Sequence, residues 1–171
     1  MNRYIPLLVG CALLVVGAPP ALAASGDTYA VGDTVWLDRN GDGLQDPDEP
    51  GVRDVRVRLT DPAGKPVTHT DGTPVEPTGT DLDGHYVFDL LAPGEYRVVF
   101  DRLPDGYRFT AQGGGFDDPE TDSDPDPATG ATATFTLGPV GPSLPQMQPL
   151  SPNGTYRAVA IDPSIDAGLQ H

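Results

Sequence analysis

Tyr96-Arg97-Val98-Val99-Phe100 puts Tyr96, Val98 and Phe100 on one side of an extended chain. That period of two is what a strand with one buried face requires. The same alternation recurs upstream in Val55-Arg56-Val57-Arg58-Leu59, with Val55, Val57 and Leu59 inward. It recurs downstream in Ala131 to Leu137, where Ala133, Phe135 and Leu137 oppose threonines. Shorter strand signals lie between these: Val35-Trp36-Leu37, Tyr86-Val87-Phe88, Tyr107-Arg108-Phe109, Tyr156 to Ile161 and Ile165 to Leu169. Val67-Thr68-His69 and Pro74-Val75 are joined by Thr70-Asp71-Gly72-Thr73, an Asp-Gly hairpin signal. Ala92-Pro93-Gly94 and Pro104-Asp105-Gly106 are turns, and Gly138 to Pro152 reads as an extended loop. Seven to nine short strands with no helical period define an all-β fold, a Greek-key antiparallel β-sandwich.

Composition agrees. The 171 residues include 21 Gly and 20 Pro, which together disfavour a helical bundle. Ten Lys and Arg against 25 Asp and Glu give a formal charge of −15. Nucleic acid and anionic membrane surfaces need a basic face, so neither is an expected partner.

The chain starts with a secretory signal: Arg3, an apolar run from Leu7 to Val16, then Ala21-Leu22-Ala23. The run falls well short of the ~20 residues of a bilayer span, so no transmembrane segment is expected. Cleavage after Ala23 or Ala24 would release the chain outside the cell. A competing reading takes Leu8-Val9-Gly10-Cys11 as a lipoprotein box with Cys11 lipidated. The apolar run before Cys11 is short, however, and continues beyond it. The resulting division is a signal peptide at 1–23, a linker at 24–30 and one domain at 31–171. Loss of 1–23 removes Arg3 and Cys11, leaving a more acidic chain with no cysteine and therefore no disulfide.

The acidic stretch from Asp38 to Glu49 suggests what replaces that staple. Asp38, Asn40 and Asp42 occupy positions one, three and five of a twelve-residue calcium loop, with Gly43 at the sharp turn. Leu44 offers a carbonyl at seven, Asp46 stands at nine and Glu49 at twelve. Ca²⁺ takes six to eight hard oxygens at about 2.3–2.6 Å, whereas Mg²⁺ resists such dehydration. Helices cannot flank the loop, because Trp36-Leu37 precedes it and Pro47 and Pro50 occupy the exit. The loop therefore joins two strands. Asp81 and Asp83 could form a second site or a plain hairpin turn. The run from Asp117 to Asp126 could be a metal site or a solvated loop.

These segments resemble the SdrD B-like domain of serine-aspartate repeat surface proteins. The resemblance is carried by Gly32-Asp33-Thr34-Val35-Trp36-Leu37-Asp38-Arg39-Asn40-Gly41-Asp42-Gly43, by Thr80-Asp81-Leu82-Asp83-Gly84-His85-Tyr86, by Leu91 to Tyr96, by Asp122-Ser123-Asp124 and by Ile165 to Leu169. It implies a Cna-B/prealbumin-like sandwich whose loops are stabilised by Ca²⁺ ions. The implied ligands are Asp38, Asn40, Asp42, Leu44 (carbonyl), Asp46 and Glu49, with Asp81, Asp83, Asp122 and Asp124 as further ones. It also implies a secreted, adhesin-type structural module working on extracellular matrix, surface protein or polysaccharide. A calcium-dependent carbohydrate- or protein-binding module is the alternative, with Arg97, Arg102, Tyr107 and Arg108 as a small binding face. Pro125 and Pro127 crowd the third acidic cluster, a departure from the family pattern.

An isopeptide staple is not expected, since Lys65 lies in a turn and Asn40 and Asn153 are not on facing strands. Catalysis is not expected either: His69, His85 and His171 form no zinc pair, and no Ser sits in a nucleophile elbow.

Overall fold

The computed structural model describes residues 26–113, 121–150 and 156–171. The signal segment, Cys11, the acids Asp117, Asp118 and Glu120, and Asn153 lie outside the described residues.

Among the described residues eleven short strands follow one another and no helix occurs. They are β1 (Tyr29–Val31), β2 (Val35–Leu37), β3 (Arg56–Thr60), β4 (Thr78–Gly79), β5 (Phe88–Leu91) and β6 (Gly94–Arg102). Then come β7 (Arg108–Phe109), β8 (Phe135–Leu137), β9 (Gln148–Pro149), β10 (Ala160–Asp162) and β11 (Ala167–Gln170).

The alternating segments make the central antiparallel pair. β3 and β6 align Val57 with Phe100, Arg58 with Val99 and Leu59 with Val98. The apolar residues of both strands thus share the buried face, and β4 and β8 extend the sheet on either side. Opposite it run two further groups of strands, β5-β1-β10-β9 and β2-β11-β7. Between the layers, Tyr86 meets Phe100 edge-on at 5.5 Å and Phe88 at 6.0 Å. Such pairs add about 0.5–1.5 kcal/mol beyond area burial. Val31, Val35, Leu91, Val98, Leu137 and Leu169 fill the rest of the core. The fold is the expected all-β sandwich.

Four local differences matter. The first and last strands pair in parallel, β1 with β10 and β2 with β11, whereas the other pairs are antiparallel. The crossover linking them is the whole domain, which satisfies the long connection a parallel pair needs. Tyr29 and Ala30, counted above with the linker, are buried in β1. In the segment from Ala131 to Leu137 the alternation breaks: Thr132 turns inward and Ala133 is exposed. The cause is polar, because Thr132 Oγ1 accepts the buried Val98 amide. Finally, the expected loop at 138–152 contains β9, which pairs with β10, while the expected strand at 156–161 narrows to β10.

Both parallel pairs stop at the same level. Gly32 N–H still reaches the Asp162 carbonyl at 3.2 Å, and Ala167 N–H reaches that of Thr34 at 3.2 Å. Between those bonds lie residues 33–34 on one chain and 163–166 on the other. Asp33, Asp162 and Asp166 lie along this break.

Candidate metal centre

The loop at 38–49 leaves and rejoins a strand ladder, as its flanking sequence requires. Leu37 N–H donates to the Pro50 carbonyl at 2.8 Å, and Trp36 bridges Gly51. Asp38 is anchored at the base, only 2% exposed. Its Oδ1 accepts Gly41 N–H at 2.5 Å and its Oδ2 accepts Gly43 N–H at 2.9 Å and the Thr110 hydroxyl. Gly43 adopts φ 82°, the left-handed turn its position calls for.

Above this base the loop side chains converge. The Asn40 amide nitrogen donates to Asp42 Oδ2 and Asp46 Oδ2, each at 2.9 Å. Glu49 bends back so that Oε1 accepts Arg39 N–H at 2.6 Å and Oε2 accepts Asp46 N–H at 3.2 Å. Asn40, Asp42 and Asp46 are therefore brought together and Glu49 folds back across the loop, while Asp38 turns to Gly41, Gly43 and Thr110 at the base. No three of the loop carboxylates have ligand atoms within 4.8 Å of one another. Two carboxylates aimed at one N–H₂ group leave that point in need of positive charge. Turning the Asn40 amide over would present a third oxygen there, and amide orientation follows whatever partner is present.

A second acidic group lies at the break in the parallel pairs. Asp162 and Asp166 are both fully buried. Asp162 Oδ1 accepts Ser164 N–H at 3.2 Å and its hydroxyl at 2.7 Å, and Asp166 Oδ1 accepts Thr34 N–H at 3.2 Å. The other oxygen of each, Asp162 Oδ2 and Asp166 Oδ2, is buried with no hydrogen-bond partner. Asp124 joins them, its Oδ2 accepting Asp166 N–H at 2.7 Å.

The electrostatics follow from this crowding. Burial pushes the Asp124 carboxyl up to about 7; the bond from Asp166 N–H opposes the shift, and Asp122, Asp162 and Asp33 add to it. Burial likewise raises Asp166 well above the carboxylate range, with Asp33, Asp124 and Asp122 contributing. Asp162 is raised by burial against its bonds to Ser164. The Tyr86 hydroxyl, bonded at 2.6 Å to the Ile165 carbonyl, is also raised, first by burial and then by Asp166, Asp124, Asp33 and Asp162. Bare carboxylates in such a place are costly unless a cation or protons join them.

Asp33, Asp162 and Asp166 were missed from sequence. The available signal was an acid inside each apolar run, Ile161-Asp162 and Ile165-Asp166-Ala167, where a solvated acid has no reason to be.

The remaining candidates fall elsewhere. Asp122 bridges Leu44, beside the loop. Asp81, Asp83 and His85 lie on a hairpin of their own, exposed, with ligand atoms all within 4.8 Å of one another. Asp81 Oδ1 already accepts the Asp83 and His85 amides at 2.9 Å, and backbone bonds, that from His85 foremost, hold its carboxyl below the usual range. The four residues of the suggested binding face divide between layers: Arg97 and Arg102 belong to β6, while Arg108 on β7 bonds Gln170 and Tyr107 packs edge-on against His171.

Comparison with known proteins identifies the family of the domain. The SdrD B-like domain profile matches residues 29–144, and the chain belongs to that family. It is 32% identical over 142 residues to Colossin-B of Dictyostelium discoideum, covering 83% of this chain and 4% of that protein. It is 43% identical over 93 residues to serine-aspartate repeat-containing protein E of Staphylococcus aureus strain USA300, covering 54% of this chain and 7% of that protein. It is 45% identical over 84 residues to bone sialoprotein-binding protein of S. aureus strain MRSA252, covering 49% and 7%. The chain thus spans only a small fraction of the length of these relatives.

Proposed function

We propose that the protein is a secreted, calcium-stabilised structural module of the adhesin type, holding its shape outside the cell by cation binding rather than by covalent cross-links. The observation that carries this reading is the break in the parallel strands. Two buried carboxylate oxygens, Asp162 Oδ2 and Asp166 Oδ2, lack partners beside an already crowded Asp124. A hard divalent cation satisfies such oxygens and cancels their mutual repulsion, which is the chemistry Ca²⁺ supplies when bound.

Asp38, Asn40, Asp42, the Leu44 carbonyl, Asp46 and Glu49 hold the loop ion. Asp166 and Asp124, with Asp33, Asp122 and Asp162 adding to the negative field there, would hold a second one only after their oxygens draw together, since they are not within 4.8 Å as a group. Asp81 and Asp83 are weaker candidates, because their own turn satisfies them. At Ca²⁺ a hundred times Kd, each site adds about 2.7 kcal/mol. Two sites would be a large part of the roughly 5–15 kcal/mol that keeps a domain folded. The role is structural rather than catalytic, in keeping with the repeat-protein relatives. One relative's name records binding of bone sialoprotein. By that likeness, the assembly to which this module belongs meets extracellular matrix or surface proteins, and the module itself acts as a stiff spacer.

Thermal melting of the chain in excess Ca²⁺ and in excess EDTA tests the reading. A midpoint at least 10 °C higher in Ca²⁺ is expected at about 2–4 °C per kcal/mol for a domain of this size. Equal midpoints would remove the mechanism.

A further inference from the structure

One end of the β2-β11-β7 sheet gathers basic side chains. β2 runs out through Leu37 into Asp38 and Arg39, β11 ends at Gln170 beside His171, and β7 sets Arg108 opposite Gln170. These six residues line one cleft of about 300 Å³. Arg39, Arg108 and His171 are exposed there, Leu37 and Gln170 are half-buried, and Asp38 is buried.

Each of the basic side chains is held, and none by an acid. Arg39 Nη1 donates to the Asp48 carbonyl at 3.0 Å, and Arg108 Nη2 donates to Gln170 Oε1 at 3.0 Å. The Gln170 amide is itself lodged against the loop, since a Cβ on Gly41 would lie 2.4 Å from its Nε2. The His171 ring packs edge-on against Tyr107 at 5.0 Å. Among the described residues no carboxylate forms an ion pair with Arg39 or Arg108, whereas Arg53, Arg56 and Arg58 are paired with Asp54 or Asp101. Asp38 does not serve, because its oxygens turn to Gly41, Gly43 and Thr110. In a chain with 25 acidic against 10 basic residues, two guanidiniums left with neutral partners in one cleft are available to an outside anion.

The chemistry of the cleft narrows what that anion is. A guanidinium fork matches the two oxygens of a carboxylate, and the His171 ring adds a further N–H donor. A formal charge of −15, with Asp42, Asp46, Asp48 and Glu49 in the loop that carries Arg39, repels a densely charged polymer. The volume lies at the low end for small-molecule sites, so one compact unit fills it. Gln170 can both give and accept hydrogen bonds from hydroxyls, and Leu37 offers apolar surface. A ring with one carboxylate, several hydroxyls and a C–H face meets all of these at once.

We infer that the cleft between Arg39, Arg108 and His171 binds a carboxylate-bearing sugar, taken free or as a unit of a polysaccharide whose charges are spaced apart. This adds a binding activity to the stabilising role proposed above, and no bound cation takes part in it.

The experiment titrates the intact chain with methyl glucuronide and follows the amide NMR shifts of Arg108 and Gln170. A dissociation constant on the order of 1 mM is expected for a ligand of this size. The uncharged methyl ester of the same sugar, and acetate alone, should each bind about fivefold more weakly. Arg39→Gln and Arg108→Gln should each weaken the glucuronide by about fivefold or more. Arg58→Gln makes the same change of charge on β3 in the other layer and should leave affinity within about twofold. A hyaluronan tetrasaccharide, which alternates glucuronate with an uncharged sugar, separates the two sources: tighter binding than the single sugar assigns the site to a polymer, and weaker binding assigns it to the free sugar acid.

Equal binding of acid and ester would overturn recognition of the carboxylate. Affinity in Arg39→Gln and Arg108→Gln matching that of Arg58→Gln would overturn the cleft as the site. Acetate binding as tightly as the glucuronide would overturn the sugar as ligand. Tighter binding of a blocked tripeptide with one central glutamate would overturn it in favour of an acidic protein segment.

Discussion

Asp166 and Asp124 are bonded in both directions: Asp166 N–H donates to Asp124 Oδ2 at 2.7 Å, and Asp124 N–H donates to the Asp166 carbonyl at 3.1 Å. The pairing brings the buried Asp166 carboxyl beside the half-buried Asp124 carboxyl, and Asp166 Oδ2 is buried with no hydrogen-bond partner. Whatever neutralises them governs how the domain responds to pH.

Without calcium, that agent is the proton. The Asp124 pKa rises from the usual 3.8 to about 7 on folding, and Asp162 and Asp166 are raised as well. A carboxyl with a folded-state pKa above its unfolded value holds its proton more tightly in the folded chain. Protonation then favours folding, and stability is lost as pH rises from about 4 through 7. Asp71 and Asp81 have lowered values, and their contribution is lost only as pH falls below the usual 3.8. In EDTA, therefore, the melting midpoint should climb as pH falls from 7 to 5, by an amount on the order of a few kcal/mol in stability. In saturating Ca²⁺ it should fall over the same range, because protons displace the ion. Asp124→Asn should flatten the EDTA slope. A flat or falling EDTA profile in the unaltered chain would rule out the buried carboxyls as the cause.

Asp42 and Asp126 separate ion binding from turn formation. Asp42 Oδ2 faces Asn40 in the loop while its Oδ1 accepts Leu44 N–H at 2.9 Å, and Asp126 Oδ1 accepts Ala128 and Thr129 N–H at 2.8 and 3.0 Å, closing its own turn away from the loop. Asp42→Ala should lower the melting midpoint in EDTA through loss of the turn bond to Leu44, about 1 kcal/mol, and by distinctly more in Ca²⁺. Asp126→Ala removes turn bonds, so it should lower both midpoints alike, by about 1 kcal/mol. A larger calcium-specific effect for Asp126 than for Asp42 would reverse the ranking of the two acids.

The contrast between loop and break shows which parts of the fold can be read in sequence. The loop candidates lie within twelve residues, so their spacing could be read directly, and it places Asn40 against Asp42 and Asp46. The β3–β6 pair was legible because Val57, Leu59, Val98 and Phe100 alternate with polar or outward residues. β1 was not: Tyr29, Ala30 and Val31 are all buried, no alternation marks them, and their partner is Ala160 to Asp162. The convergence of Asp33, Asp124, Asp162 and Asp166 depends on that same parallel pairing. It is a property of topology, and no local pattern announces it. Thr132 illustrates a smaller failure, where the need to satisfy one buried amide overrode a clean alternation.

Gly168 offers a test of how tightly the closing strand is fitted between Trp36 and the base of the loop. A Cβ on Gly168 would lie 2.5 Å from Thr110 Cγ2 and 2.9 Å from Trp36 Cζ2, closer than side chains pack. Thr110 holds Asp38 through its hydroxyl, and Trp36 is fully buried, so neither neighbour can move without cost. Gly168→Ala should therefore destabilise by about 1–3 kcal/mol, as overpacking does. That corresponds to a fall of roughly 2–12 °C in the melting midpoint. Because Thr110 would be pushed from Asp38, the terbium affinity of the loop should fall as well. Gly141→Ala, with no atom within 4 Å of the added carbon, should change neither reading. If Gly168→Ala melts with the unaltered chain and binds terbium equally well, then Trp36, Thr110 and β11 are not packed as described, and the support of Asp38 from beneath the loop fails with them.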